Sequence, residues 1–230
     1  MNSVEAIDAR YYQVAPPRSL GERMVVAARE RIYGDFIRLC RPTPESTLLD
    51  VGASDILNDG ANLLERKHPQ PERITAVGLG AAQEFQVAFP KVSYRQVEAG
   101  ADLPFPDKHF DIAFSNAVLE HVGGPAQRRV FVAELARVAR KAFIAIPNRL
   151  FPVEHHTAIP ILHYWPASFE AACRALGKTE WLNPANLTLI GHRELQAAAP
   201  IHTRHRIGYT GIALGPFSSN LFLLLEDEAR

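Results

Sequence analysis

Short apolar runs alternate along the chain with stretches in which apolar residues recur every three or four positions. The short runs are typical of buried strands, and the recurring positions are typical of helices that bury one face. We predict the first five strands at 47–49, 74–77, 92–96, 110–115 and 142–146. Because strands and helical stretches alternate, we predict an α/β fold with a mainly parallel sheet, right-handed crossovers and helices on both faces.

Capping residues indicate where two of the helices begin. Ser19 followed by Glu22 forms a capping box, which predicts a helix ahead of the first strand. Asp55 is placed to cap the first crossover helix, which we predict over 56–67. The last two predicted strands, separated by glycines and a proline that favour a turn, lie at 202–209 and 221–225.

Composition narrows the class of protein. The 230 residues include 25 basic and 25 acidic side chains, so no strong positive field is available to bind nucleic acid. No apolar run approaches the length of a membrane span, and Cys40 and Cys173 lack the spacing of a metal site or a disulfide framework. We therefore expect a cytoplasmic domain with no membrane span and no nucleic-acid partner.

The stretch Thr47–Asp55 is the first candidate for a ligand site. Thr47–Leu49 predicts a buried strand, and Asp50-Val-Gly52 ends that strand in a turn before the next helix. Backbone N–H groups at such a turn point to the carboxyl edge of a parallel sheet, where α/β proteins bind their ligands.

Several segments resemble the class I S-adenosylmethionine-dependent methyltransferases. Asp50-Val-Gly52 is similar to their first motif. Phe105-Pro-Asp-x-x-Phe-Asp111 and the following Ser115-Asn-Ala-Val-Leu-Glu-His-Val122 resemble the fourth-strand motif of the type-11 branch nearly residue for residue. Pro147-Asn-Arg-x-Phe-Pro-Val-Glu154 resembles one subgroup of that branch. The resemblance implies a Rossmann-like, seven-stranded sheet with a terminal antiparallel hairpin, and methyl transfer from S-adenosylmethionine.

The resemblance also assigns residues to the cofactor. The residues at the methionine end are Asp50, Gly52 and Ala53, and Asp50 would organise the turn. The residues that border the ribose and adenine are Gly78, Leu79 and Glu98. The residues beside the sulfonium are Ser115 and Asn116. Ser54 and Ile56 stand where the first motif usually has glycines, and Gly78 stands where a carboxylate usually accepts both ribose hydroxyls. Because that acceptor is missing, we expect the cofactor to bind more weakly than is usual.

These departures leave other functions open. A degenerate methyltransferase-like protein would use the fold as a binding module or run another reaction. A nucleotide-dependent oxidoreductase is disfavoured because no Gly-x-Gly-x-x-Gly follows the first strand. The segment Ser115–Val122 favours the methyltransferase, because packing alone does not require polar groups at the mouth of a sheet.

Two histidines are candidate catalytic residues on the acceptor side. His121 follows the fourth strand, and its imidazole is suited to remove a proton from the acceptor. His156 lies in a segment rich in proline and aromatic residues, 147–166, which we call the lid segment and expect to cover the acceptor. Either histidine could instead have a structural role, as a helix cap or a hydrogen-bond partner of a neighbouring loop.

The lid segment also contains side chains that could bind a metal ion. Glu154, His155, His156 and His163 are all possible ligands. Adjacent histidines in a loop lack the i, i+4 spacing of helical zinc motifs, and no thiolate or second acid is obvious nearby. We therefore expect no metal.

We expect a single domain that binds a small-molecule, sugar or lipid-linked acceptor as a monomer or homodimer. It divides into an N-terminal cap at 1–45, a cofactor-binding core at 46–146, the lid segment at 147–166, and C-terminal helices with the hairpin at 167–230.

Overall fold

The computed structural model describes residues 20–55, 57, 61–184 and 186–227, with side chains from residue 23 onward. Its strands are β1 (Leu48–Val51), β2 (Ile74–Gly78), β3 (Ser93–Gln96), β4 (Phe110–Asn116), β5 (Ala139–Pro147), β6 (Arg204–Leu214) and β7 (Phe217–Glu226). They form one seven-stranded sheet in the order β3-β2-β1-β4-β5-β7-β6. β1 to β5 pair in parallel, whereas β7 runs antiparallel to both of its neighbours. The predicted α/β class and the antiparallel hairpin are confirmed.

Helices cover both faces of this sheet. They are α1 (Leu20–Cys40), α2 (Leu63–Lys67), α3 (Gln83–Ala88), α4 (Pro125–Val138), α5 (Pro166–Ala175) and α6 (His192–Ala198). Short 3-10 turns occur at Pro71–Arg73, Leu119–His121, Leu162–Tyr164 and Thr179–Leu182. Within the described ranges, none of the helices combines the length and apolar character needed to cross a bilayer. The capping box predicted from Ser19 and Glu22 lies outside the described side chains.

The core has two layers because the central strands are apolar on both faces. On one face, Leu135 of α4 and Leu195 of α6 are fully buried against side chains of β4, β5 and β7. On the other face, the Phe36 ring of α1 packs edge-on against Phe114 and Phe143, with centroid distances of 5.1 and 5.9 Å. This packing fixes the carboxyl ends of the central strands, where the candidate site residues lie.

The prediction for the first crossover helix was wrong in its extent. The helix observed after β1 is α2, which begins only at Leu63 and is five residues long. Asp55 does not cap it: its carboxylate accepts hydrogen bonds from the N–H groups of Gln83 (3.2 Å) and Phe85 (3.0 Å). Asp55 therefore caps α3, whose own N-cap residue has no side-chain oxygen to do so.

The C-terminal hairpin is longer than predicted. β6 and β7 pair from Arg204 with Glu226 up to Leu214 with Phe217. The turn lies at Gly215, whose φ of +58° is in the left-handed region, followed by Pro216. Glycine and proline therefore do set this turn, but the pairing continues beyond the predicted strand ends, from Thr210 with Asn220 to Leu214 with Phe217, with a register shift between Thr210 and Ala213.

Candidate active site

A cavity opens where the carboxyl ends of β1 and β4 lie side by side, and we call it the strand-end cavity. Its lining comes from both strands, from the residues after β1 and from α1: Arg29, Asp50, Val51, Gly52, Asn62, Leu63, Phe114 and Asn116. Three of the predicted cofactor residues, Asp50, Gly52 and Asn116, thus meet at one place. This is the edge of the sheet at which parallel α/β folds bind ligands.

Gly52 is required by the turn after β1 for two reasons. Its φ of +115° is rarely adopted by residues with a side chain, and a Cβ atom there would lie 2.3 Å from Cγ2 of Val118. The N–H groups of Gly52 and Ala53 both donate to the carbonyl of Val77, at 3.0 and 3.1 Å. The turn after β1 is therefore pressed against the turn after β4 and hydrogen-bonded to β2.

Asn62 holds the next part of this loop. Its side-chain Oδ1 accepts from the N–H of Ser54 at 3.1 Å, and its Nδ2 donates to the carbonyl of Ser54 at 2.8 Å. Asn62 itself has φ 52° and ψ 51°, a left-handed conformation that asparagine tolerates better than most residues. The position where a second glycine is usual is thus fixed by an amide clamp.

Asp50 and Glu65 form a buried pair of carboxyl groups behind the cavity. Asp50 is 6% exposed and Glu65 is 5% exposed. Burial and the neighbouring charge of Glu65 raise the pKa of Asp50 well above its ordinary value, and burial raises the pKa of Glu65. Two such carboxylates cannot both be ionised cheaply, so the pair favours a shared proton or a bound cation.

Gly78 ends β2, at the position where the resemblance leads one to expect a ribose-binding carboxylate and the sequence has none. A Cβ atom at Gly78 would lie 2.3 Å from the carbonyl oxygen of Ala53 and 2.8 Å from Oη of Tyr94. Tyr94 donates to the carbonyl of Gly80 at 2.7 Å, which holds its ring in place. In this arrangement the loop after β1 occupies the space that a side chain at position 78 would need.

The other predicted ribose and adenine contacts lie toward solvent. The side chain of Leu79 is 38% exposed, and its carbonyl accepts a hydrogen bond from Gln96 at 2.9 Å. Glu98 is exposed after β3, and its carbonyl accepts from the N–H of Ala101. Neither residue lines the strand-end cavity.

Ser115 and Asn116 have different environments although they are neighbours at the end of β4. Ser115 is fully buried, and its hydroxyl donates to the carbonyl of Val51 at 3.0 Å. That bond ties β4 to the end of β1, so the hydroxyl positions the sheet edge. Asn116 is half-buried and lines the cavity, so it can contact a ligand directly.

A second cavity lies under the lid segment, and we call it the lid cavity. Its lining residues come from the turn after β4, from the lid segment and from the stretch before α6: Glu120, Pro147, Asn148, Arg149, Glu154, His155, His156, His163, Leu187, Thr188, Leu189 and Ile190. Both predicted catalytic histidines are at or beside this cavity. The rings of His121 and His156 are 5.0 Å apart and perpendicular.

Each of these two imidazoles is oriented through Nδ1. Nδ1 of His121 lies 2.6 Å from the carbonyl oxygen of Asn186, and Nδ1 of His156 lies 2.8 Å from Oε1 of Glu154. Glu154 also accepts from Thr157 through its N–H and hydroxyl. Because both acceptors lack protons, each Nδ1 is the donor, and each Nε2 faces Oε1 of Glu120 at 4.0 Å.

Burial and mutual charge set the protonation of this cluster. Burial and the charge of His156 lower the pKa of His121 to about 3, so its imidazole is neutral near pH 7. Burial opposes a charge on His156, but its hydrogen bond to Glu154 and the charges of Glu154 and Glu120 together outweigh burial and raise the pKa of His156. Burial raises the pKa of Glu120 to about 7, against the opposing charge of His156. His121 therefore does not provide the near-neutral titration expected from its sequence position.

Residues 62–145 match the family model of the type-11 methyltransferases, described as a methyltransferase domain. The chain carries a class I S-adenosylmethionine-dependent methyltransferase domain. The matched residues of this methyltransferase run from the N-cap of α2 into β5. They include Gly78, Asn116 and Glu120–His121, whereas the lid segment lies beyond them. No curated protein matches the chain.

Solved structures share the fold over nearly the whole chain. A S-adenosylmethionine-dependent methyltransferase from Aquifex aeolicus is 15% identical, with a TM-score of 0.53 over 95% of this chain and 97% of that one. The N-methyltransferase NodS of Bradyrhizobium japonicum WM9, in complex with S-adenosyl-L-homocysteine, is 11% identical, with a TM-score of 0.58 over 100% of both chains. A protein from Pyrococcus horikoshii OT3 is 12% identical, with a TM-score of 0.60 over 99% of this chain and 100% of that one. At these identities the likeness shows the fold.

The methyltransferase fits its cofactor better at the methionine end than at the ribose end. Both carboxyl oxygens of Glu65 are buried with no hydrogen-bond partner among the described residues, beside the cavity-lining Asp50. A buried pair of carboxyl groups suits a cationic group such as an ammonium, and Gly52 lines the same cavity as Asp50. At Gly78 the close approach of Ala53 leaves no space for a ribose-binding side chain.

Sequence reasoning on this methyltransferase missed three functional candidates. Asn62 clamps the loop, Glu65 pairs with Asp50, and Glu120 joins the two histidines. Glu120 lies within the motif quoted from the sequence, but glutamates next to a turn are usually solvated. Its burial, at 2% exposure, becomes visible only when the lid segment is folded over it.

Proposed function

We propose that this methyltransferase acts on a small-molecule, sugar or lipid-linked acceptor that binds in the lid cavity. The supporting observation is that Arg29 lines the strand-end cavity while its charge acts on both Glu120 and His155, which line the lid cavity. The two cavities are therefore neighbours at one edge of the sheet. One is suited to the cofactor and the other to the group that receives the methyl.

The chemical character of the lid cavity supports an acceptor with a polar end and an apolar body. Inside, side chains such as Glu120, Asn148 and His156 offer hydrogen-bonding groups. The outer side of the lid segment exposes apolar side chains, namely Leu150 (53%), Ile161 (50%), Leu162 (41%) and Trp165 (58%). An aromatic ring or a lipid chain would cover these groups, while the nucleophile would point inward.

The residues of the chain bind and position the reactants. Bound S-adenosylmethionine supplies an electrophilic methyl group on a sulfonium. Asp50, Gly52 and Asn116 would hold it at the strand ends, and Glu120 and His156 would orient the acceptor oxygen or nitrogen. Methyl transfer depends chiefly on in-line positioning, which tightly packed side chains at a buried site provide.

Calorimetric titration with S-adenosylmethionine and S-adenosyl-L-homocysteine tests the cofactor side. We expect binding weaker than is usual for this fold, because the missing ribose contact is worth about 1.5–3 kcal/mol. Asp50→Ala should abolish binding without lowering the melting temperature, since it removes one charge of a repelling pair. Asp102→Ala, at an exposed aspartate, is the matched control and should bind normally. The absence of both binding heat and a thermal shift at millimolar cofactor would refute the proposal and favour the binding-module alternative.

Release of S-adenosyl-L-homocysteine in the presence of hydroxylated aromatics, glycosides and lipid-linked sugars tests the acceptor side. Trp165→Ala should raise KM for the active acceptor while leaving cofactor affinity unchanged, because Trp165 is 58% exposed on the lid segment. Turnover with unchanged KM in this variant would place the acceptor elsewhere.

A further inference from the structure

We propose that Glu120, His121 and His156 form a binding site for one divalent first-row transition metal ion, of the kind that takes mixed imidazole and carboxylate ligands, such as Zn²⁺. Among the described residues, Oε of Glu120 and the Nε2 atoms of both histidines lie within 4.8 Å of one another. The ligands come from two separate segments, the turn after β4 and the lid segment. The set therefore differs from the adjacent residues of the lid segment that the sequence brought to attention.

The first observation is that both imidazoles present the correct nitrogen. Asn186 fixes the proton of His121 on Nδ1, and Glu154 fixes that of His156 on Nδ1. With these protons on Nδ1, each Nε2 atom offers a lone pair to a metal ion once His156, whose pKa is raised, has released its second proton. Metal-bound histidines almost always donate the other ring N–H to a carbonyl or a carboxylate, and that hydrogen bond sets their orientation and basicity.

The second observation is the buried carboxyl group of Glu120, which has no hydrogen-bond partner among the described residues. Its side chain is 2% exposed. Burying a carboxylate without a partner is costly, so native proteins pair such groups or use them to coordinate a cation. The Nε2 atoms at 4.0 Å are beyond hydrogen-bonding distance and do not satisfy it.

The spacing of the ligands suits a small ion after slight closure. Ligands about 2.1 Å from zinc at tetrahedral angles are about 3.4 Å apart. The observed 4.0 Å between Oε1 of Glu120 and each Nε2 therefore needs a contraction of about half an ångström. Two imidazoles and one carboxylate leave at least one coordination position open, as catalytic zinc sites do. Glu120 and His156 line the lid cavity, so that position faces the proposed acceptor.

The role of the ion rests on the proposed function, whereas the site does not. A bound ion would coordinate the acceptor oxygen or nitrogen and orient its lone pair toward the strand-end cavity. Metal binding itself can be measured without any acceptor or cofactor. If the protein binds the ion but transfers no methyl group, the proposed metal site stands and the proposed function fails.

The test uses the full chain after chelation and dialysis. Titration with Zn²⁺ should show one ion per chain, and Co²⁺ should give a ligand-field absorption spectrum that Zn²⁺ displaces. Glu120→Gln, which is nearly isosteric, and His156→Ala should each weaken Zn²⁺ binding by more than 10-fold. Glu154→Gln, which removes the group that orients His156, should weaken it by about 10–100-fold. His192→Ala, at an exposed histidine at the start of α6, is the control and should bind Zn²⁺ as the parent does.

Two results would overturn the proposal. One is the absence of stoichiometric Zn²⁺ or Co²⁺ binding by the parent protein, which would leave Glu120 paired with a protonated His156 and no ion. The other is equal Zn²⁺ affinity in the parent and in Glu120→Gln, with circular dichroism showing both proteins folded. If methyl transfer persists at full rate in the presence of a chelator and the protein binds no metal, the proposed function stands and the proposed metal site is rejected.

Discussion

The close approach at Gly78 allows a test of the loop after β1. From the sequence alone, Gly78→Asp would be expected to restore the ribose-binding carboxylate and tighten cofactor binding. The structure leads to the opposite expectation, because a Cβ atom at this position would lie 2.3 Å from the carbonyl oxygen of Ala53 and 2.8 Å from Oη of Tyr94. Ordinary contacts of a Cβ begin near 3.4 Å, so backbone must move by about 1 Å.

The magnitude follows from overpacking. An extra methyl group in a tightly packed site costs about 1–3 kcal/mol. For a chain of this size each kcal/mol shifts the melting temperature by roughly 2–4 °C, so Gly78→Ala should lower it by about 2–12 °C. Gly78→Asp should lower it at least as much and weaken S-adenosylmethionine binding, because the displaced Ala53 carries the turn at the strand-end cavity.

Differential scanning fluorimetry and calorimetric titration measure both quantities. Gly80→Ala is the matched control, since the nearest atom to a Cβ there is the backbone N of Ala82 at 4.0 Å. It should change stability by less than about 0.5 kcal/mol. If Gly78→Asp keeps the parental melting temperature and binds the cofactor more tightly, the loop does not occupy the ribose position and the reasoning fails.

Three further predictions concern the same edge of the sheet. Glu65→Gln should raise the melting temperature at pH 7, because the pKa values of Glu65 and Asp50 are both raised in the folded protein. The pair therefore stabilises the fold fully only below about pH 4, and this contribution is lost as the pH rises through the raised pKa values. The melting temperature should accordingly depend less on pH in the variant than in the parent, and an unchanged dependence would contradict the pairing. Asn62→Ala should cost about 1–3 kcal/mol of stability and weaken cofactor binding, because it removes the two side-chain hydrogen bonds to the backbone of Ser54. Denaturant unfolding measures the stability and calorimetry the binding, and parental values for both would exclude the clamp. Ser115→Ala should lower the melting temperature with little direct effect on cofactor affinity, whereas Asn116→Ala should do the reverse; exchanged effects would mean that the two side chains have the opposite orientations.

The central part of the sheet could be predicted from sequence because its strands are buried on both faces. Such strands are mainly apolar, and β1 is an example: all four of its residues are buried, and Asp50 is the one polar residue among them. The hairpin could be predicted because Gly215 and Pro216 allow few other conformations. These are local signals, and each depends on a short window of sequence.

The loop between β1 and α2 could not be predicted in the same way. Asp55 is bound to residues 28 and 30 positions further along the chain, and Asn62 is bound to a residue 8 positions before it. Neither pairing leaves a periodic pattern. His121 and His156 were each recognisable as candidates, but only the folded lid segment shows that Glu120 lies between them.

Asp55 links the loop after β1 to helix α3. Its carboxylate belongs to the loop that borders the cavity, and its two hydrogen bonds belong to the first turn of α3. A ligand that moves this loop outward must release the helix cap, at about 0.5–2 kcal/mol. The rate of amide hydrogen exchange at Gln83 and Phe85 would therefore rise if the loop moves away from α3, although neither residue lines the cavity. The outer edge of the sheet, where β2 and β3 end, would then respond to occupancy of its centre.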